Sequence, residues 1–365
     1  MVSFTPTEEQ QLLIETLHRY AVKDVRPAAH DADEASAPPL EVVQTGWQLG
    51  LIPSAIPEEL GGFGEMSAVT GALAAEELAY GDLAVAMHVL APALFAYPVV
   101  LFGTAEQRES LLPMFLEAEL APATAALLEP GIFFDPHELQ TTVSISGTKA
   151  TLNGTKAYVP LADEAEHLLV YARNTETGQV EAYVVDGQAA GMQIEKRELL
   201  MGLRALPTFR VNFSDVTVDV AARLGGAVGM NYDALLNRSR VALGALAVGV
   251  ARASYEYARD YAKQRVQFGK PIAQNQAIAF MLAEMAIEID ATRLMVWEAA
   301  WKLDRGEDAT REACLAQQYA ERMVLQVTDH GVQVLGGYGF IREYPAERWL
   351  RNGRGFPTFL GLAMV

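Results

Sequence analysis

The hydrophobic period of this chain changes twice, and nothing else constrains its fold as strongly. Up to about residue 120 the apolar residues recur at helical spacing; from Ala121 the period drops towards two; from about Met230 it returns to helical. A face that repeats at i, i+3, i+4 and i+7 cannot be buried on a strand, and a period of two cannot be buried on a helix. The pattern predicts a helical domain over 1–120, a β-domain over 121–228 and a helical bundle over 229–365.

In the first region Thr5 or Thr7 is expected to cap a helix that carries Glu8 and Glu9 in its first turn, where acidic groups meet the positive end of the helix dipole. Leu12, Leu13, Leu17 and Tyr20 would share its buried face. Residues 46–65 read as a helix end and a Pro/Gly loop, with further helices over 67–81, from Asp82, and over 102–116. In the middle region Val143 and Ile145 alternate with serines, and Asn153-Gly154 is a hairpin-turn signal. Residues 168–172 and 183–185 read as short strands, and Phe209, Val211 and Phe213 as one face of a half-buried strand. In the last region residues 232–264 read as one nearly continuous helix, about 50 Å long at 1.5 Å per residue. Ile278, Met281, Leu282, Met285 and Ile289 fall on one helical face. Long amphipathic helices with short connections suggest an antiparallel bundle.

Composition removes several functions. A net charge of −18 argues against nucleic acid, which needs a clustered positive face. Neither a Rossmann fingerprint nor a P-loop occurs. No apolar run of 18 residues predicts membrane insertion. Cys314 is the single cysteine, so no disulfide can form within the chain, and a cytoplasmic location is expected. None of the histidines 18, 30, 88, 137, 167 and 330 sits at metal-ligand spacing to another, so no metal site is expected.

Two clusters could carry chemistry. Arg265, Gln267, Phe268 and Gln276 lie at a break between long helices. A guanidinium there can pair with a diphosphate while the ring covers a base; read alone, the same residues are a surface arginine beside a core phenylalanine. Gln333, Gly336 and Gly337 end a helix. The glycine pair is either a helix C-cap or a place where another molecule approaches the backbone.

Several runs together resemble the flavin-dependent acyl-CoA dehydrogenases: YAKQRVQFGKPIAQNQAIAFMLAEMA, NGTKAYV, MGLRALPT and QVLGGYGF…EYPAER…RN. The resemblance spans essentially the whole chain. It implies an N-terminal helical domain, a β-barrel-like middle domain and a C-terminal four-helix bundle, assembled as a tetramer with FAD. It also implies that Arg265, Gln267, Phe268, Gln276, Gln333, Gly336 and Gly337 contact FAD held mainly by an adjacent subunit. Arg240 matches an arginine near the acyl-CoA tail, the alternative being a helix-surface ion pair.

The sequence departs from the family where the flavin ring and thioester would sit. The family's TEPxAGSD-like motif is LEPGIFFD here. Glu129, Pro130 and Asp135 remain, Leu128 replaces a flavin-bonding threonine, and Phe133 and Phe134 replace small residues. Two phenyl rings there would crowd a close-packed interior. A second flavin-contacting threonine is Pro160, which has neither hydroxyl nor N–H. The loop with the catalytic base reads Phe359, Leu360, Gly361, Leu362, where the family has tyrosine, glutamate, glycine and threonine. Leu360 cannot remove a proton. Some members place the glutamate just before the arginine matched by Arg240, and Ser239 stands there. Asp135, Glu129 and Glu343 are the nearest carboxylates in sequence. The family's further helix after this loop is not included in these residues.

Losses on the chain's own flavin and substrate side, with retention of the residues that reach a neighbour's FAD, point to a non-catalytic subunit. Its partners would be a dehydrogenase subunit carrying the glutamate, an acyl-CoA thioester and an electron-transfer flavoprotein. A silent binding scaffold, or a self-sufficient homomeric dehydrogenase with an atypical base, are the other readings.

Overall fold

The computed structural model describes residues 5–365. Helix α1 (Glu8–Tyr20) starts at Thr7, whose hydroxyl accepts from the Gln10 N–H while the Gln10 side chain accepts from the Thr7 N–H. This reciprocal capping box selects Thr7 over Thr5. Leu17 and Tyr20 are buried and Leu13 partly so, but Leu12 is 66% exposed and does not belong to that face. The chain continues through α2 (Arg26–Ala35), α3 (Leu40–Trp47), α4 (Ala68–Gly81), α5 (Leu83–Leu90), α6 (Ala93–Phe102) and α7 (Ala105–Leu111). Ser67 caps α4 and Asp82 caps α5, each accepting from the first turn.

Seven strands follow: β1 (Ala123–Ala126), β2 (Thr142–Ser146), β3 (Lys149–Pro160), β4 (His167–Asn174), β5 (Val180–Asp186), β6 (Met192–Arg197) and β7 (Thr208–Asp219). They form one sheet in the order β1-β4-β2-β3-β7-β6, with β5 paired to β4. Its own core gathers Val143, Leu152, Val170, Tyr183, Val211 and Phe213. Asn153-Gly154 is not the hairpin turn. Ser146 pairs with Lys149, so the turn is Gly147-Thr148, while Asn153 and Gly154 lie inside β3 at a register shift. The glycine is required there because its φ is +148° and a Cβ would stand 2.6 Å from the Thr141 Cα. The Asn-Gly signal therefore marks a bulge.

The last region holds α8 (Tyr232–Gln264), a small hairpin of β8 (Val266–Gln267) and β9 (Lys270–Pro271), α9 (Gln276–Asp304), α10 (Thr310–Leu335) and α11 (Ala346–Gly353). Helices α8, α9 and α10 pack on one another, and α4 packs against α8 and α9. The α9 face turned inward carries Leu282, Met285 and Ile289, as its period predicts. Helix α8 is long and apolar enough to cross a membrane, with a mean hydropathy of 1.3, but 94% of that window is buried inside the protein. It is the core helix on which the first and last regions meet. Ion pairs reinforce the junction: Arg252 bonds Glu76 and Glu77, and Arg293 bonds Glu76.

Candidate functional site

Two places in this fold hold the residues that the sequence singled out. The first lies where α8 runs into the β8–β9 hairpin, beside the end of α10. A cavity of about 500 Å³ is lined there by Tyr261, Arg265, Gln267, Ile272, Val334, Leu335, Gly336, Gly337, Tyr338 and Ile341. Helix α10 stops because Gly336 takes φ +59°, a conformation that side chains resist. A Cβ on either Gly336 or Gly337 would meet nothing within 4 Å, so both glycines leave bare backbone facing open space.

The Arg265 guanidinium lies 5.4 Å from the Tyr338 ring centroid. Among the described residues no carboxylate is paired with it. A half-buried cation beside an aromatic ring and two bare glycines can receive an anion that approaches the backbone closely. Phe268, Gln276 and Gln333 are not on the cavity wall. Phe268 stands at the hairpin tip, 96% exposed with φ +54°, so it is not a core phenylalanine. Gln276 opens α9 and is exposed. Gln333 is exposed, and its carbonyl accepts the Gly336 N–H. Tyr261 and Tyr338 were missed in the sequence; Tyr338 could have been found, since it follows the glycine pair directly.

The second place is the junction of all three regions. The motif Leu128–Asp135 leaves the end of β1 here. Leu128 is buried, and its carbonyl accepts the Ala157 N–H at 2.9 Å. Glu129 is buried, pairs with Lys156 at 2.9 Å, and accepts the N–H groups of Gln140 and Thr141. Burial alone would raise its carboxyl. Lys156 and these donors together hold it below its ordinary value, so it is an anchored structural anion. Burial draws Lys156 down to about 8 against the pull of Glu129. Asp135 is exposed and accepts from the His137 N–H. Glu343 is exposed.

Phe133 corrects an expectation. It is 95% exposed, on a loop that swings outward at Gly131, so it crowds no interior of its own chain. Phe134 is half-buried against the core. What closes this place comes instead from the end of the chain. Phe359 stacks on Tyr158 of β3, ring centroids 4.9 Å apart and planes 16° from parallel. No third ring fits between two rings at that separation. Leu360 is 8% exposed, and Gly361, Leu362, Ala363, Met364 and Val365 are also buried. Ser239 is buried and accepts the Gly361 N–H at 2.8 Å. Arg240 is buried and bonds the Asn237 side-chain oxygen at 2.7 Å. That excludes the helix-surface ion pair.

Comparisons with known proteins agree along the whole length. Family models described as acyl-CoA dehydrogenase N-terminal, middle and C-terminal domains match residues 7–119, 124–216 and 230–363. The chain belongs to the acyl-CoA dehydrogenase family. It is 32% identical to a 3-(aryl)acrylate reductase of Clostridium sporogenes, covering 98% of this chain and 96% of the relative. It is likewise 32% identical to an acyl-CoA dehydrogenase of Bacillus subtilis, covering 95% and 93%. The solved butyryl-CoA dehydrogenase of Megasphaera elsdenii superposes with a TM-score of 0.89 at 31% identity, covering 99% of this chain and 96% of that one.

FAD is the cofactor of this family. The residues present fit it unevenly. The Arg265 cavity offers an unpaired cation and bare backbone, which suit a dinucleotide. The place that the sequence resemblance matches to a flavin ring fits poorly: the side chains of Pro160 and Leu128 give no donor, and Tyr158 and Phe359 each cover one face of the other.

Proposed function

We propose that this chain is the non-catalytic subunit of a hetero-oligomeric acyl-CoA dehydrogenase, completing the FAD site of a partner subunit that carries the catalytic glutamate. One contrast carries the reading. The cavity around Arg265, Gln267, Gly336 and Gly337 is open and contains an unpaired cation, whereas the chain's own ring site is shut by the Tyr158–Phe359 stack and holds Leu360 in place of a base. Helix α9 supports it, exposing Phe280, Ile287 and Leu294 seven residues apart. An apolar stripe of that kind suits a packed subunit better than water.

In the assembly, Arg265 and Gln267 would hold the dinucleotide of the partner's FAD, Phe268 and Gln276 would extend the contact from the hairpin and α9, and Gln333 would do so from α10. The reaction is α,β-dehydrogenation of an acyl-CoA thioester, in the cytoplasm. The partner's glutamate takes the α-proton, the β-hydrogen leaves as hydride, and the 2,3-double bond forms. Bound FAD supplies the hydride acceptor, and an electron-transfer flavoprotein takes the electrons onward. Arg240 is buried on Asn237 and would contact no thioester of this chain.

The test is a visible absorption spectrum of the protein purified alone after incubation with FAD and removal of the excess. No flavin band is expected alone, and a stoichiometric band is expected on co-purification with a glutamate-bearing family subunit. A stoichiometric band in the lone protein overturns the reading.

A further inference from the structure

The chamber where the three regions meet is lined by Leu94 of α6, Leu127 beyond β1, Tyr171 of β4, and Tyr232, Leu236 and Ser239 of α8. Only about 10 Å³ of it is free, which is too little for a ligand and marginal for one water. Gly361 and Met364 complete its wall, and they belong to a buried segment, residues 360–365. Apart from Gly361 the residues of this segment all carry apolar side chains, and all are buried.

The fit is built from both sides. Ser239 accepts the Gly361 N–H at 2.8 Å, and the buried Arg238 guanidinium donates to the Val365 oxygen at 2.8 Å. Gly361 turns with φ +83°, and a Cβ there would stand 2.7 Å from the Leu127 side chain. Opposite the other end, α4 carries Gly71, where a Cβ would stand 2.8 Å from the Val365 Cβ. Met364 lines the chamber and also an outer cleft of about 520 Å³ between α1, α4 and the loop before α4, with Leu13, Phe63 and Tyr97 on its walls. This side chain helps to partition a closed apolar chamber from an open one.

We propose that residues Leu360–Val365 are a built-in occupant of the chain's own acyl chamber, standing where the hydrocarbon of a thioester would lie, so that this subunit binds no acyl group. The proposal rests on the reading above only for its consequence in the assembly: every acyl group sits in the partner's site. Removing the segment would join chamber and cleft into one elongated space, apolar in the chamber and mixed in the cleft, where Glu9, Gln10, Glu65 and Thr70 stand beside Leu13, Phe63 and Tyr97.

The intact protein labelled with ¹³C at its methionine methyls tests this. The Met364 methyl shares the chamber with the Tyr171 and Tyr232 rings. Its resonance is expected to carry their ring-current shift and to stay in place when octanoyl-CoA is added, with no saturable heat of binding. Saturable binding accompanied by displacement of Met364 overturns the proposal. A chain stopped after Phe359 is expected to bind octanoyl-CoA at least tenfold more tightly than the intact chain. A folded short chain that binds no better also overturns it. If the short chain does not fold, the Met364→Ala, Val365→Ala pair, which keeps both backbone anchors, is held to the same criterion. A flavin band in the lone protein would sink the partner reading and leave the Met364 result standing on its own.

Discussion

The Ser239 hydroxyl accepts a 2.8 Å hydrogen bond from the N–H of Gly361, and both are buried. The sequence resemblance matches Ser239 to one position for the family's catalytic glutamate, and Leu360, just before Gly361, to the other. In this chain the two places are joined to each other structurally and neither holds a base. Ser239→Ala leaves a buried N–H without an acceptor, which costs about 1–3 kcal/mol. Urea unfolding should show that loss, and Ser239→Thr, which keeps the hydroxyl, should show less of it.

Restoring the family residue should not restore the chemistry. Leu360→Glu puts a carboxylate among apolar side chains, with the ring site still covered by Phe359. A stability loss of more than about 2 kcal/mol is expected. The lone variant, mixed with FAD and octanoyl-CoA, should show no bleaching at the flavin band. Bleaching would mean that the ring site opens after all.

Arg265 has a different standing, because among the described residues it is tied into no ion pair. Arg265→Ala should leave the melting temperature of the lone protein unchanged within error. In the co-purified complex it should weaken FAD retention by about 10–100-fold, the range of a lost charge-assisted hydrogen bond. Equilibrium dialysis of FAD from the complex measures this.

The buried pair of Lys156 and Glu129 anchors the turn from β1 into the Leu128–Asp135 loop. Lys156→Met strands a buried carboxylate and should cost about 3–5 kcal/mol. Glu129 titrates below its ordinary value because Lys156 and backbone donors outweigh its burial. The pair's stabilisation is therefore present above the unfolded carboxyl value of 4.5 and is lost as pH falls below it. The gap between wild type and Lys156→Met, read by denaturant unfolding, should narrow as acid is added.

His88 gives a second pH dependence. It is buried in α5, its Nδ1 has no hydrogen-bond partner among the described residues, and burial draws it from 6.5 down to about 4. Between those values the unfolded chain takes up a proton that the folded chain refuses. Stability is then complete above 6.5 and falls with pH through the window, by up to about 3 kcal/mol. His88→Leu should flatten that part of the curve; an unchanged slope would assign it elsewhere.

Much of the fold was legible because burial leaves a period. The face of α9 was read from Ile278 to Ile289, and α8 was read over its full length, since a long helix repeats its signal many times. Local chemistry was less legible. Asn153-Gly154 has the composition of a turn, but the approach of Thr141 makes it a bulge inside β3. Of the residues matched to FAD contacts, Arg265, Gln267, Gly336 and Gly337 share one cavity, while Phe268, Gln276 and Gln333 lie outside its wall.

By itself the sequence determined the order of the three regions, the family, and the absence of a carboxylate at Leu360 and Ser239, because period and residue type are local properties. Only the tertiary structure decided that Phe133 turns outward, that Tyr158 meets Phe359, and that Leu360–Val365 are buried with Gly361 and Met364 on the chamber wall. An apolar segment must be buried somewhere, but the surface that buries it is assembled from α4, α6, the sheet and α8, and no local pattern within the segment names those partners.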